Sequence, residues 1–116
     1  MTTTTSPLPD EITAAALKTL LTTPSSTATV QLLDVRTPLE RLFGTIKPSA
    51  HIPLGALETP DASALLAKQN LAPAKRTIIF CASGVRSLRA LAVLRANHGF
   101  TQAQSLHGGL SAWKSA

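Results

Sequence analysis

The most reactive atom the chain offers is the sulfur of its only cysteine, Cys81, which is followed by Ala82-Ser83-Gly84-Val85-Arg86-Ser87. Thr77-Ile78-Ile79-Phe80 ahead of it is β-branched and aromatic and reads as a buried strand. Leu88, Leu91, Ala92 and Leu94 behind it return at helical spacing, which predicts a helix over 87–97. The thiol therefore stands at a strand tip, ahead of a tight loop that Gly84 permits and beside the start of a helix. A curled loop and a first helical turn both present unpaired N–H groups, and these favour a negative charge. A cysteine with the ordinary pKa of about 8.5 is roughly 3% ionised at neutral pH, whereas a fall to about 6.5 makes it roughly three-quarters thiolate. The pattern is that of a nucleophile. A lone cysteine behind an apolar strand also fits an inert core residue, and the segment from Ala82 to Ser87 is what argues for chemistry.

The elements that must position this sulfur are legible on either side. Thr29 to Leu33 forms a strand candidate with Asp34 at its carboxyl end, the edge where open parallel sheets carry functional residues. Asp34-Val35-Arg36 is therefore expected beside the cysteine loop. Thr37-Pro38-Leu39-Glu40 has the form of a capping box with proline at the first helical position, predicting a short helix to about Phe43 that stops at Gly44. Upstream, Thr13 caps a helix through Leu21 or Thr22 whose stripe is Ala16, Leu17, Leu20 and Leu21, ended by Pro24-Ser25-Ser26-Thr27. Thr59-Pro60-Asp61 opens another helix, buried through Leu65 and Leu66 and ending near Asn70. His98-Gly99 stops the helix after the cysteine, and Phe100 to Leu106 supplies a last strand. Gly108-Gly109 permits close backbone packing, with Leu110 and Trp113 anchoring a terminal helix. Strands alternating with helices imply an α/β fold with a parallel sheet covered on both faces.

Composition narrows the classes. The 116 residues suffice for one domain, expected over 12–116 behind a Thr-, Ser- and Pro-rich flexible segment, 1–11. No apolar run is long enough to cross a membrane, and Met1 to Pro7 lacks the features of a secretory signal, so a cytoplasmic protein is expected. One cysteine excludes a disulfide within the chain and, with His51, His98 and His107 lacking ligand spacing, no metal site or cofactor is expected. The net charge is +5, and every acidic residue lies at or before Asp61. The half bearing Cys81 thus carries positive potential that concentrates small anions, or simply serves solubility. Nucleic-acid binding is disfavoured, because aromatic residues are 3% of the chain and no basic cluster is interleaved with them.

Cys81-Ala82-Ser83-Gly84-Val85-Arg86-Ser87 resembles the active-site loop of the rhodanese-like sulfurtransferases, in which Cys, two residues, Gly, one residue, Arg and Ser follow one another. Leu32-Leu33-Asp34-Val35-Arg36 with Glu40, Ile52-Pro53-Leu54, and Leu106-His107-Gly108-Gly109-Leu110-Ser111-Ala112-Trp113 are similar to further blocks of that family and stand in its order. The resemblance covers about residues 12–115. It departs at Gly44-Thr45-Ile46-Lys47-Pro48-Ser49, where the family has a Gly-His-Ile-Pro-Gly-Ala type of turn.

The resemblance implies a five-stranded, mostly parallel sheet with helices on both faces, and no cofactor. It implies a sulfurtransferase in which Cys81 takes the outer sulfur of thiosulfate or a related small anionic donor. The sulfur is then passed to a thiol, cyanide or a protein acceptor. Ala82, Ser83, Gly84, Val85 and Arg86 would hold the substrate, with Asp34, Arg36 and Glu40 in support. Arg86 fits either the anion or an ion pair with Asp34 or Glu40, Arg36 fits a pair with Glu40, and Asp34 fits a role in holding its loop. A second class of function is a non-catalytic or carrier module that docks to a sulfur-delivery or signalling partner. A third, cysteine phosphatase or arsenate reductase, is disfavoured because those loops have one more residue between Cys and Arg, sized to wrap a phosphate.

Overall fold

Which elements form, and what ends each of them, decides where Cys81 sits. A computed structural model of the chain describes residues 8–23 and 29–116. The strands are β1 (Glu11–Ile12), β2 (Val30–Asp34), β3 (Ala50–His51), β4 (Arg76–Phe80) and β5 (Ala103–Leu106). The helices among the described residues are α1 (Ala14–Thr22), α2 (Pro38–Leu42), α3 (Leu54–Leu57), α4 (Ala62–Lys68), α5 (Val85–Asn97) and α6 (Gly109–Ser115). The strands form one sheet in the order β1-β5-β4-β2-β3, every pairing parallel. The chain leaves β2 outward to β3 and leaves β4 in the opposite direction to β5, so the carboxyl ends of β2 and β4 flank the crevice where such sheets bind ligands.

The two-residue alternation of the strands sorts the core into two layers. Leu33, Val35, Ile79, Cys81 and Ala103 face one side, with Leu57, Leu66, Ala90, Leu91 and Leu94 from α3, α4 and α5. Leu32, Ile78, Phe80 and Leu106 face the other, with Leu17 and Leu110 from α1 and α6. The same alternation turns Cys81 toward α5 and Phe80 away from it.

Local chemistry places several boundaries as expected. Thr13 Oγ1 accepts from the amide of Ala16 at 3.1 Å and starts α1. The capping box of α2 is complete: Glu40 N donates to Thr37 Oγ1 at 3.2 Å and Thr37 N donates to Glu40 Oε1 at 3.0 Å. Gly44 follows with φ +125, which ends the helix.

Other boundaries move. The helix behind the cysteine begins at Val85, two residues before the expected start, because Gly84 at φ +98 turns the chain directly into it. Its buried stripe is Ser87, Ala90, Leu91 and Leu94, while Leu88 is 40% exposed and Ala92 is also exposed. β2 runs through Asp34 and starts at Val30, and β5 starts only at Ala103 after a turn. The two-residue strands β1 and β3 and the single-turn α3 are too short for a hydrophobic period to announce them. β1 brings Glu11, assigned by sequence to the flexible segment, into register with Ser105. Residues 1–7 of that segment and the Pro24 to Thr27 stop lie outside the described residues. Leu65 and Trp113 are partly buried against the two layers, and Lys18 Nζ sits 4.8 Å from the Trp113 ring centroid.

Candidate active site

Cys81 directly follows β4, and Ala82, Ser83 and Gly84 carry the chain into α5. Its sulfur accepts from the amide of Gly84 at 3.0 Å and from the amide of Ser87 at 3.3 Å, and lies 3.4 Å from Ser87 Oγ. The residue is 1% exposed. Burial pushes the thiol pKa up, but the Ser87 hydroxyl and the amides of Ser87, Gly84 and Ser83 pull it down by more, so it lies below the ordinary cysteine value. The sulfur is buried without being sealed in hydrocarbon, since its polar neighbours are donors that suit an anion. Of the loop amides from Ala82 to Arg86, those of Ser83 and Gly84 act on the sulfur, and Ser87 adds its amide and hydroxyl. Ser87 stands on the third residue of α5, where its side chain points back over the first turn.

A second backbone contact fixes the loop from below. Leu110 N donates to the carbonyl of Cys81 at 2.8 Å, and Ser111 N donates to that of Ala82 at 3.1 Å. The start of α6 therefore lies directly against the loop. A Cβ on Gly109, whose φ is +59, would stand 2.5 Å from Cys81 O and 2.6 Å from Ala82 C, so only glycine fits there. Ala82 also lines a hollow of about 290 Å³ with Arg36, Leu110, Ser111 and Lys114.

Asp34, Arg36 and Glu40 lie at the end of β2 and on α2, and their pairing differs from the one expected. Val35 N donates to Phe80 O at 3.1 Å, which ties the end of β2 to the end of β4. Arg36 does not pair with the Glu40 carboxylate. It donates to both oxygens of Asp34, from Nε to Oδ1 and from Nη2 to Oδ2, each at 3.0 Å. The reason is local: Arg36 is two residues from Asp34 in an extended turn, and its own amide also binds Oδ1 at 3.0 Å. Arg41 Nη1 reaches Asp34 Oδ2 at 3.1 Å and Thr45 Oγ1 donates to the same oxygen at 3.0 Å. Thr45 and Ser49, from the turn that departs from the resembled pattern, are thus built into this network, Ser49 through Arg41. Burial pushes the Asp34 carboxyl up, and the bonds from Arg36 and Thr45 overcome this and hold it below its ordinary value.

Glu40 is left for Arg86, the second of the two arrangements the sequence allowed. Arg86 Nη1 and Nη2 donate to Glu40 Oε1 and Oε2 at 2.7 and 2.8 Å, clamping α2 to the first turn of α5. Bonds from Arg86 and Thr37 hold the Glu40 pKa at about 2. Ser83 and Val85 are exposed, Val85 at 73%. Leu39, Leu42 and Phe43 on and just beyond α2 are exposed at 65%, 80% and 81%. His51 Nε2 bonds to the carbonyl of Arg36 at 2.7 Å, and His107 Nδ1 pairs with Glu11 at 3.1 Å. Among the described residues no group of three or more His, Cys, Asp or Glu side chains is arranged to hold a metal ion.

A rhodanese-like domain profile matches residues 13–116. The chain belongs to the rhodanese-like family. The rhodanese-like domain is 35% identical over 82 residues to the adenylyltransferase and sulfurtransferase MOCS3-1 of Zea mays, covering 71% of this chain but only 17% of that protein. It is 29% identical over 89 residues to a protein named sulfurtransferase from Allochromatium vinosum, covering 77% of this chain and 76% of that one. Its fold superposes on the human single-domain sulfurtransferase TSTD1 with a TM-score of 0.69, at 26% identity, over 92% of this chain and 96% of the other. The five-stranded sheet with helices on both faces is that of the family, with every strand parallel where a mostly parallel sheet was expected. No helix among the described residues is long and apolar enough to cross a membrane.

The close packing read at Gly108-Gly109 falls at Gly109, whereas the contact of Ser87 with the sulfur carries weight that its sequence position alone did not assign. The signal for Ser87 was present, since six residues after Cys81 is where a tight loop and one helical turn bring a side chain back to the sulfur.

Proposed function

We propose that the chain is a sulfurtransferase that carries sulfane sulfur as a persulfide on Cys81. In the first step the Cys81 thiolate attacks the outer sulfur of thiosulfate or a related donor. The donor's S–S bond breaks, sulfite leaves with the bonding pair, and Cys81 holds a persulfide anion. In the second step a thiolate, cyanide or a protein thiol attacks the terminal sulfur and Cys81 departs as thiolate. Charge balances in both steps. The observation that carries this reading is the sulfur accepting from the amides of Gly84 and Ser87 at 3.0 and 3.3 Å, an arrangement that stabilises an anion both before attack and on departure.

Ala82, Ser83, Gly84, Val85 and Arg86 supply the rim on which a small anion would rest, with the Ala82 hollow flanked by Arg36 and Lys114. Arg86 serves the site through its charge while held by Glu40, and Asp34, Arg36 and Glu40 keep the two strand ends and α2 in place. With no second cysteine in the chain, the sulfur passes to an external acceptor. A cytoplasmic setting accords with that unpaired thiol.

A second reading, a carrier module docking to a sulfur-delivery or signalling partner, is favoured by the exposed Leu39, Leu42, Phe43, Val85 and Leu88, which lie on or just beyond the two helices that Arg86 and Glu40 join. Mass spectrometry after treatment with thiosulfate tests both. A gain of one sulfur atom, lost in Cys81→Ser, supports the persulfide, and its rapid transfer to cyanide supports an enzyme over a carrier. No gain on the wild-type protein, or an equal gain on Cys81→Ser, overturns the proposal.

A further inference from the structure

The hydroxyl of Ser105 is fixed close to the reacting sulfur although it does not touch it. Ser105 lies in β5 between two neighbours, in register with Glu11 of β1 and Ile79 of β4, and its amide donates to Asp10 O at 2.7 Å. It is fully buried, at 0% exposure. Its Oγ is 2.7 Å from Ser87 Oγ, itself fully buried and 3.4 Å from Cys81 Sγ. Three polar atoms thus form a row: Ser105 Oγ, Ser87 Oγ, Cys81 Sγ.

Counting protons gives the row a direction. A hydroxyl has one proton to donate and two lone pairs to accept with. When the sulfur is an anion, Ser87 donates its proton to the sulfur, and the contact between the two hydroxyls can be filled only by the proton of Ser105. When Cys81 is protonated, its S–H can donate to Ser87 Oγ and the Ser87 proton turns to Ser105. The row has two polarities, and the charge on the sulfur selects between them.

We propose that Ser105 is a positioning residue whose hydroxyl donates to Ser87 Oγ and thereby holds the Ser87 proton on the anionic sulfur. A hydrogen bond that accepts from a neighbour donates more strongly, by roughly 10–30% in a chain of this kind. The effect recurs in the reaction. In the persulfide the inner sulfur carries little charge, and as the acceptor takes the outer sulfur the charge returns to Sγ, where the Ser105–Ser87 row stabilises the leaving group. This second half rests on the persulfide reading above, whereas the ionisation of Cys81 does not. The charged groups around the row come from other elements: Arg86 on α5, Asp34 and Arg36 at the end of β2, Glu40 on α2 and Lys114 on α6. β5 itself brings only Ala103, Gln104, Ser105 and Leu106, all neutral.

Ser105→Thr and Ser105→Val have nearly the same shape and differ in the hydroxyl. The test measures the alkylation rate of Cys81 by iodoacetamide against pH, and sulfur transfer from thiosulfate to cyanide, for both. Ser105→Thr is expected to keep the wild-type profile. Ser105→Val is expected to move the alkylation midpoint upward and to lower transfer below that midpoint by about two- to fivefold. In a Ser87→Ala background the two should coincide. If they coincide with Ser87 intact, or differ by as much without it, the proposal fails. Should the branched side chains not fit, Ser105→Ala against wild type, each with and without Ser87, makes the same comparison. A shifted profile on a protein that forms no persulfide would uphold the row and overturn sulfur transfer instead.

Discussion

Two buried acids stand side by side at the carboxyl ends of neighbouring strands, and the chain treats them in opposite ways. Asp34 ends β2 at 0% exposure and Cys81 follows β4 at 1%. Both are held below their ordinary pKa against the cost of burial. Asp34 is held by two cations, Arg36 on both oxygens and Arg41 on Oδ2, and by the Thr45 hydroxyl. Its charge is neutralised and its lone pairs are occupied. Cys81 is surrounded by neutral groups: it accepts from the amides of Gly84 and Ser87 and lies 3.4 Å from the Ser87 hydroxyl. An anion held by fixed dipoles keeps its charge and its nucleophilic pair, whereas an anion locked into the Arg36 fork, with a further bond from Arg41, becomes a strut. On the proposed function, the first would carry the sulfur and the second would hold that carrier in place.

That contrast is broken most forcefully at the strut. Asp34→Ala leaves Arg36 buried with its partner gone, and the loss of a buried ion pair costs about 3–5 kcal/mol. Urea unfolding should show a midpoint lowered accordingly. The Cys81 alkylation profile of the folded variant should remain close to wild type, because the dipoles at the sulfur come from its own loop and the first turn of α5. A variant of wild-type stability would show that the Asp34 network is not a strut.

The sequence announced the strut and the nucleophile unequally. The cysteine loop was readable because everything that polarises Cys81, apart from Ser105, lies within six residues of it. The capping box at Thr37 and Glu40 was readable for the same reason. Asp34 stands at its strand end as read, and Arg36 pairs with it two residues on, while the fate of Glu40 depends on how α2 packs on α5. Arg36 and Glu40, four residues apart, suggested a pair by spacing, yet α2 turns Glu40 toward Arg86, 46 positions away in the chain. Leu88 looked like core by spacing and is half exposed, since the early start of α5 at Val85 rotates Ser87 and Ala90 toward the sheet. Ser105 was unreadable because a serine in a short strand is unremarkable until Ser87 is known to face it.

A smaller effect separates the buried acids from a more exposed one. Glu40, pulled by Arg86 and Thr37 to about 2 from an ordinary 4.5, is partly open to solvent. A depressed carboxyl contributes stability that is complete above its unfolded value and is lost as the pH falls through the folded one. The Glu40 contribution should therefore be present above about pH 4.5 and vanish toward about 2. Because solvent screens the pair, Glu40→Gln should cost under about 1 kcal/mol near neutrality. Thermal unfolding of wild type and variant across that pH range should converge at the acid end. Curves that stay parallel throughout would remove Glu40 from the account.

The central claim is that hydrogen bonds from neutral dipoles are what chiefly lower the Cys81 pKa below its ordinary value. Its most direct test is the pH dependence of Cys81 alkylation by iodoacetamide at low and at high salt. The account predicts a midpoint below the ordinary cysteine value that salt barely moves, since buried amides at hydrogen-bond distance are not screened. A midpoint at or above the ordinary value, or one that climbs steeply as salt is added, would contradict it.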